Sequence, residues 1–296
     1  MITQPENIPL AKYKQLYKAL CSLPKCVLHA PGRFLYSELF TLDKERDFYI
    51  LGHNPAGDPD KHPEYYSDSL ITDIRKWGRS PKPYNAYLDE IWPPWCNIPP
   101  GSSRYQRNVQ SLCKVIDICP RKVCASNLFF VRSGNINLHN KWLNELTLTC
   151  LNNLTKEHSR NKSMELRDTY KNVHWRVHKE ILELVKPKFI IAINNTAYTI
   201  IKRILGFVEN KNETISIDVK NRGRKSNCYV AEGKYTYKDG RDLPELSLLV
   251  GLPDFSLDYP GELKAPVWDW VKEHCSSFIE NVSNNRANTR TEKGGD

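Results

Sequence analysis

Four short apolar runs limit what this sequence can fold into more than any other feature. They are FYILG at 48–52, VCASNLFF at 123–130, FIIAIN at 189–194 and LSLLVGL at 246–252. Their hydrophobicity is continuous rather than alternating, which is typical of parallel strands that are covered on both faces. Helical patterns lie between and around these runs, and such alternation favours right-handed crossovers. We therefore predict an α/β three-layer sandwich with a short central, mainly parallel sheet of four strands.

The helical patterns and the polar segments define the domain organisation. Apolar residues at three-four spacing predict helices within 10–21, 109–116 and 197–205, and a last helix that begins at Pro266. We predict one domain over 1–280, because no convincing linker or internal repeat is present. Two polar stretches, at about 156–171 and 210–241, are candidate insertions. The tail 281–296 is polar without apolar periodicity and is predicted to be disordered.

Composition and charge narrow the possible functions. The chain has 296 residues, of which 40% are hydrophobic, so a substantial core can form. Its formal net charge of +9 suits a polyanionic partner such as nucleic acid, although a plain basic surface is the alternative. The nine cysteines include no C-x-x-C pair, which favours reduced thiols in a cytoplasmic protein and gives no metal site. No signal peptide and no membrane-spanning run occur in the sequence.

The segment after the first apolar run reads GHNPAGDP and changes abruptly to polar, turn-forming residues. In an open parallel sheet, ligands bind at the carboxyl ends of the strands. This segment resembles the first motif, G-x-N-P-G, of the uracil-DNA glycosylase superfamily. Gly52, Asn54 and Pro55 match that motif, whereas Ala56 stands at its last glycine and Gly57 follows one position later.

Three further segments follow in the order that this superfamily has. SNLFFVRS resembles the strand whose Asn reads the flipped base, LVKPKFIIAINNTAYTII resembles the next strand and helix, and LLVGLPDFSLDYP stands at the final H-P-S motif. The resemblance covers about 47–260. It implies a uracil-DNA glycosylase-like fold and a monofunctional DNA glycosylase, which flips a base out of the DNA and leaves an abasic site without metal or organic cofactor.

The resemblance assigns the catalytic roles to the first motif. Asn54 would hold a water molecule against the anomeric carbon, which becomes cationic as the base departs. Asp58, or alternatively Asp60, would be a stronger base nearby, but loop solvation or helix capping is an equally ordinary use of these residues. His53 lies beside Asn54 and is expected to serve the base pocket, either by its side chain or by its backbone.

Base recognition falls to the second motif and to an aromatic residue. Asn127 offers one donor and one acceptor, so it can pair with the edge of a pyrimidine, although a backbone-satisfying Asn at a strand end is the alternative. Turning its amide over exchanges a uracil-type pattern for a cytosine-type one. Tyr65 or Tyr66 would stack on the base. His178 shares an apolar helix face with Trp175 and is expected to be a core histidine.

The fourth motif departs from the superfamily pattern. Leu252 stands where the family has a His that stabilises negative charge on the base, and leucine cannot donate a hydrogen bond. Loss of one such donor costs ~10²–10³ in rate. Asp254 lies two residues further on and could take over as a protonated acid.

The same loop and a basic stretch supply the expected DNA contacts. Phe255 and Leu257 would wedge into the duplex, with plain core packing as the alternative. Arg222, Arg224 and Lys225 would bind phosphates.

These features leave three functions open. The first is a monomeric glycosylase that acts on duplex or single-stranded DNA and removes a modified pyrimidine, such as glucosylated hydroxymethylcytosine of phage DNA, as an antiviral defence. The second is uracil excision in DNA repair. The third is an inactive member that only binds DNA, which Leu252 would favour.

Overall fold

The computed structural model describes residues 10–42, 48–53, 55, 57–58, 60–76, 84–132, 162–219, 224–235, 245–255 and 266–276. The predicted disordered tail, 281–296, lies outside these residues. Among the helices within them, none is both long enough and apolar enough to cross a lipid bilayer.

A mixed sheet of seven strands forms the centre of the described part of the chain. The strands are β1 Phe48–Gly52, β2 Cys124–Asn127, β3 Phe189–Ile193, β4 Val208–Glu209, β5 Ile215–Val219, β6 Arg224–Tyr235 and β7 Glu245–Leu252. Their order is β2-β1-β3-β7-β6-β4, and β5 pairs with β6. Neighbours among β2, β1, β3 and β7 are parallel, while β6 is antiparallel to β7, β4 and β5.

The α/β prediction is confirmed, but the expected four-stranded sheet is not. All four predicted strands are present, although β2 is shorter than its apolar run. The three additional strands come from 208–235, which overlaps the predicted insertion at 210–241. β6 belongs to the sheet because it pairs with β7 along seven residues and buries Cys228, Val230 and Ala231.

Helices flank the sheet on both faces. They are α1 Leu10–Cys21, α2 Lys25–His29, α3 Pro63–Tyr66, α4 Leu70–Lys76, α5 Ala86–Asp89, α6 Arg104–Val115, α7 Lys162–Val185, α8 Asn195–Leu205 and α9 266–276. The four predicted helices are present as α1, α6, α8 and α9. Gly206 ends α8 in the left-handed region, with φ 69°, which a glycine adopts without a steric penalty.

The alternation of side chains along each strand divides the core in two. Tyr49 and Leu51 of β1 face a core that they share with α1, α7 and α8. Phe48 and Ile50 face the opposite core, which contains residues of α5, α6 and α9. Every residue of β1 is buried, which is why its sequence is continuously apolar.

His178 is the buried core histidine that the apolar face of its helix predicts. Its Nε2 donates to the carbonyl oxygen of Leu128 at 3.0 Å, so its Nδ1 is the acceptor for the Tyr49 hydroxyl at 2.8 Å. Burial lowers the pKa of His178 to about 4. The neutral ring therefore links α7 to β1 and to the end of β2.

Candidate active site

The carboxyl ends of β1 and β2 place Gly52 directly opposite Asn127. Backbone pairing continues past the strands, because Leu128 N donates to Gly52 O at 2.8 Å and Phe129 N donates to His53 O at 2.9 Å. The ring of His53 also packs against the edge of the Phe129 ring, with centroids 5.3 Å apart. The backbone and side chain of His53 therefore hold this edge together.

The side chain of Asn127 occupies the space that Gly52 leaves open. Asn127 is only 5% exposed. A methyl group at residue 52 would collide with Oδ1 of Asn127 and would lie 3.2 Å from its Cγ. The Asn127 amide can hold this position only because residue 52 has no side chain.

Tyr36 meets the other end of this amide. Burial raises the pKa of Tyr36, while the charges of Arg132 and Arg33 and a hydrogen bond with the Asn127 side chain oppose that rise. The amide oxygen of Asn127 lies towards Gly52.

The ion pair between Arg33 and Glu90 lies beside Tyr36. Two guanidinium nitrogens of Arg33 lie 2.7 Å from the two carboxylate oxygens of Glu90, and the guanidinium is 4.5 Å from the centroid of the Tyr36 ring. The hydroxyl of Tyr84 and Nε1 of Trp92 also donate to Glu90. Burial raises the pKa of Glu90, but the charge of Arg33 and these donors outweigh it and lower that pKa below its ordinary value.

The helix α6 is fixed against this cluster by its first turn. The side chains of Ser103 and Gln106 form a capping box, in which each accepts a hydrogen bond from the other residue's backbone N–H. Nε2 of Gln106 then donates to the carbonyl oxygens of Ala86 and Glu90, both at 2.8 Å. These bonds tie α6, which carries Tyr105, to the segment that carries Glu90.

The loop after β1 distinguishes the two candidate stacking tyrosines. Gly57 has φ 112° and lies against the ring of Tyr66, because a Cβ at this glycine would be 2.6 Å from two ring atoms. The guanidinium of Arg132 lies 4.8 Å from the centroid of the same ring. Tyr65 is 46% exposed. Both tyrosine rings lie near Trp95, at 5.8 Å for Tyr65 and 5.9 Å for Tyr66. Tyr66 is therefore the tyrosine that belongs to this edge of the sheet.

The acidic residues of this loop have structural partners. Oδ1 of Asp58 accepts from the backbone N–H of Asp60 at 3.2 Å, and its Oδ2 lies 3.7 Å from Nζ of Lys61. The carbonyl of Asp58 accepts from the backbone of Lys61 and His62. Asp58 is thus engaged in the turn that precedes α3. Asn54 itself lies outside the described residues.

The fourth motif contributes Asp254 to the same edge. Leu252 is fully buried, and its carbonyl oxygen accepts from the backbone N–H of Asn194 at 2.9 Å. Asn194 has φ 115°, which is rare for a residue other than glycine, and its Nδ2 lies 3.5 Å from Oδ2 of Asp254. Burial raises the pKa of Tyr105, and the charge of Asp254 adds to this rise. The Tyr105 hydroxyl is in turn 3.3 Å from the position of a Cβ at Gly52.

Phe255 does not have the exposure that a DNA wedge requires. Its side chain is 3% exposed and packs against the rings of Tyr105 and Trp268, with centroids 5.9 and 5.8 Å away. Its carbonyl oxygen accepts from Nδ2 of Asn108 at 3.0 Å. The wedge prediction for Phe255 is corrected to core packing, because insertion into DNA would remove this ring from the core.

The structure does not describe the side chains of the other four predicted DNA contacts. Leu257 and Arg222 lie outside the described residues. Arg224 and Lys225 form the start of β6, where the structure describes their backbone only.

Sequence reasoning missed five residues of this site: Tyr36, Tyr105, Arg132, Arg33 and Glu90. Only Arg132 had a signal near a motif, since it follows Asn127 by five residues within SNLFFVRS. Comparison with models of known protein families finds none that matches the chain, and comparison with curated proteins finds no similar protein.

Proposed function

We propose that this protein is a DNA N-glycosylase that hydrolyses the N-glycosidic bond of a flipped-out pyrimidine and leaves an abasic site. One observation carries the proposal. A buried amide, that of Asn127, lies at the carboxyl edge of the sheet between Gly52 and Tyr36, at the start of the loop that contains Asn54. A base-reading group at this edge is what the proposed reaction requires.

The architecture supports the same proposal. Four neighbouring parallel strands with helices on both faces are the arrangement that the resemblance to the uracil-DNA glycosylase superfamily implies. Relative to the fold that this resemblance implies, β4, β5 and β6 are additional strands at one side of the four parallel strands.

Base recognition would use groups that are already in place. The enzyme must turn its target base out of the stack before it can reach the glycosidic bond. Asn127 would then pair with the edge of the base, and the aromatic ring of Tyr66 would stack on its face. A buried reading group reduces the entropy lost on binding, because its position is set before the base arrives.

Hydrolysis would follow with Asn54 as the residue that positions the water. An amide is a weak base, but an oxocarbenium-like sugar needs little nucleophilic assistance. Asp254 lies at the same edge and would be a second polar group for the departing base. We regard Asp58 as a structural residue of the loop, because its oxygens are engaged in the turn.

The proposed substrate is a modified pyrimidine, such as glucosylated hydroxymethylcytosine in phage DNA. Leu252 supports this choice over uracil, because it offers no hydrogen bond to a uracil anion at the position of the family's His. The reaction would take place in the cytoplasm as an antiviral defence, with the protein acting as a monomer. The seven cysteines whose side chains are described are free thiols, in keeping with a reducing compartment.

A base-release assay tests the proposal. Matched oligonucleotides would contain uracil, hydroxymethylcytosine or its glucosylated form, as single strands and as duplexes, and alkali would cut any abasic site. We expect release of one base, and loss of that release in Asn127→Ala. The matched control is Asn227→Ala, since Asn227 bonds with Ser216 and Tyr229 on the antiparallel side of the sheet. Intact DNA binding without release of any base would instead leave a DNA-binding protein.

A further inference from the structure

One need of the proposed reaction is met neither by Leu252 nor by an ionised Asp254. As the bond to the sugar breaks, negative charge accumulates on the base, and a donor or cation must stabilise it. Leu252 is 0% exposed within an apolar cluster and has no N–H or O–H to offer. Asp254 would have to be protonated for this task, since an ionised carboxylate repels a developing anion.

Arg132 is a cation beside the groups that the proposed function assigns to the base. Its backbone N–H donates to the carbonyl oxygen of Pro31 at 2.9 Å, and the preceding residue, Val131, pairs with Gly32. These bonds fix the segment that follows Asn127. The guanidinium then lies over the ring of Tyr66, 4.8 Å from its centroid.

The charge of Arg132 also acts on Tyr36, the neighbour of Asn127. It opposes the effect of burial on the pKa of both Tyr36 and Tyr66. Tyr36 is the residue that hydrogen-bonds with Asn127. Of the two groups assigned to the base, the ring of Tyr66 lies directly beside Arg132. The amide of Asn127 is connected to Arg132 through Tyr36.

We propose that Arg132 stabilises the negative charge on the pyrimidine as it leaves, in place of the His that Leu252 replaces. This inference rests on the proposed glycosylase function. A guanidinium suits the task because it is always protonated and presents several N–H donors in one plane.

The reaction balances without a proton from Arg132. The C1′–N1 bond breaks and its electron pair moves to the base, where it spreads from N1 to O2, while the sugar becomes an oxocarbenium ion. The oxygen of the water that Asn54 positions forms a bond to C1′, and this water gives up one proton. N1 of the free base gains one proton. Arg132 keeps its own protons and interacts with O2, which every pyrimidine carries.

The test measures single-turnover base release with protein in excess, on the oligonucleotide that the wild type cleaves fastest. We expect Arg132→Ala to lower the rate constant by ~10²–10³ while leaving DNA affinity nearly unchanged. Arg132→Lys should recover part of the rate. Added methylguanidinium should raise the rate of Arg132→Ala at least ~10-fold, because it supplies the missing charge, and should not accelerate the wild type.

The matched control is Arg121→Ala, because Arg121 forms a partly exposed ion pair with Asp89, which has no role in the proposed reaction. It should keep the wild-type rate and respond to no added cation. An unchanged rate in Arg132→Ala would overturn the inference, and so would a loss confined to DNA affinity, which indicates a phosphate contact. A wild type that releases no base refutes the proposed function itself, and the inference with it.

Discussion

The neutral, buried ring of His178 makes the stability of this protein depend on pH. The pKa of His178 falls from its ordinary value of 6.5 to about 4 because the ring is buried. Above pH 6.5 the ring is neutral in both the folded and the unfolded chain. Below pH 6.5 this histidine binds a proton in the unfolded chain but not in the folded protein. The free energy of unfolding therefore decreases as the pH falls.

The expected loss follows from the size of this shift. A decrease from 6.5 to about 4 corresponds to ~3 kcal/mol, at ~1.36 kcal/mol for each pKa unit. Most of this loss accrues between pH 6.5 and 4.5, and below pH 4 the group causes no further change. A loss of this size is a large fraction of the ~5–15 kcal/mol that stabilises a typical domain.

The replacement His178→Gln removes the titrating group. Glutamine can still donate to the carbonyl oxygen of Leu128 and accept from the hydroxyl of Tyr49. Urea unfolding of both proteins at about pH 7.5 and 4.5 gives the free energies of unfolding. We expect the wild type to lose ~2–3 kcal/mol more than His178→Gln between these two pH values.

The exposed His29 provides the matched control. His29→Gln should follow the wild-type pH dependence. Equal losses in the wild type and in His178→Gln would refute the reasoning, because they would mean that His178 binds a proton equally well in both states.

Three other substitutions test the site. Gly52→Ala should displace the amide of Asn127 and lower single-turnover base release by ~10-fold or more. The disturbed buried hydrogen bond should also lower the free energy of unfolding by ~1–3 kcal/mol. An unchanged release rate would contradict the assigned place of the amide. Tyr66→Ala should weaken substrate binding by ~1–3 kcal/mol, the value of one base-aromatic stack, while Tyr65→Ala, measured in the same titration, should have a smaller effect. Glu90→Gln leaves a buried arginine without its counter-charge and should destabilise the protein by ~3–5 kcal/mol in thermal and urea unfolding, and a change under 1 kcal/mol would show that the pair is solvated.

The parallel strands were predictable because their burial leaves a pattern in the sequence. A strand such as β1, which is buried on both faces, must be apolar at every position, so FYILG has the observed bounds of the strand. β6 gives no such signal, because it belongs to the antiparallel side and mixes Cys228 and Val230 with lysine, asparagine and glutamate. Its place in the sheet is determined by pairing with β7, which a single sequence does not reveal.

The site shows the same division between local and distant information. Asn127 was predicted because SNLFFVRS resembles the base-reading segment of the uracil-DNA glycosylase superfamily, whereas the apolar run at 123–130 did not indicate that the strand ends at Asn127. The Arg33–Glu90 pair was not, because its members are 57 residues apart and only the fold brings them together. The burial of Phe255 likewise depends on Tyr105 and Trp268, which lie in other parts of the chain.

If Asn127 reads the base as proposed, its hydrogen bond with Tyr36 gives base selectivity to a residue that need not contact the base. The amide oxygen of Asn127 lies towards Gly52, and the side chain hydrogen-bonds with the phenol of Tyr36. A phenol hydroxyl can accept or donate, so rotation of one O–H bond would also satisfy the reversed amide. The two orientations present opposite hydrogen-bonding patterns to a pyrimidine. A single rotatable proton on Tyr36 would then let one pocket recognise either a uracil-type or a cytosine-type edge.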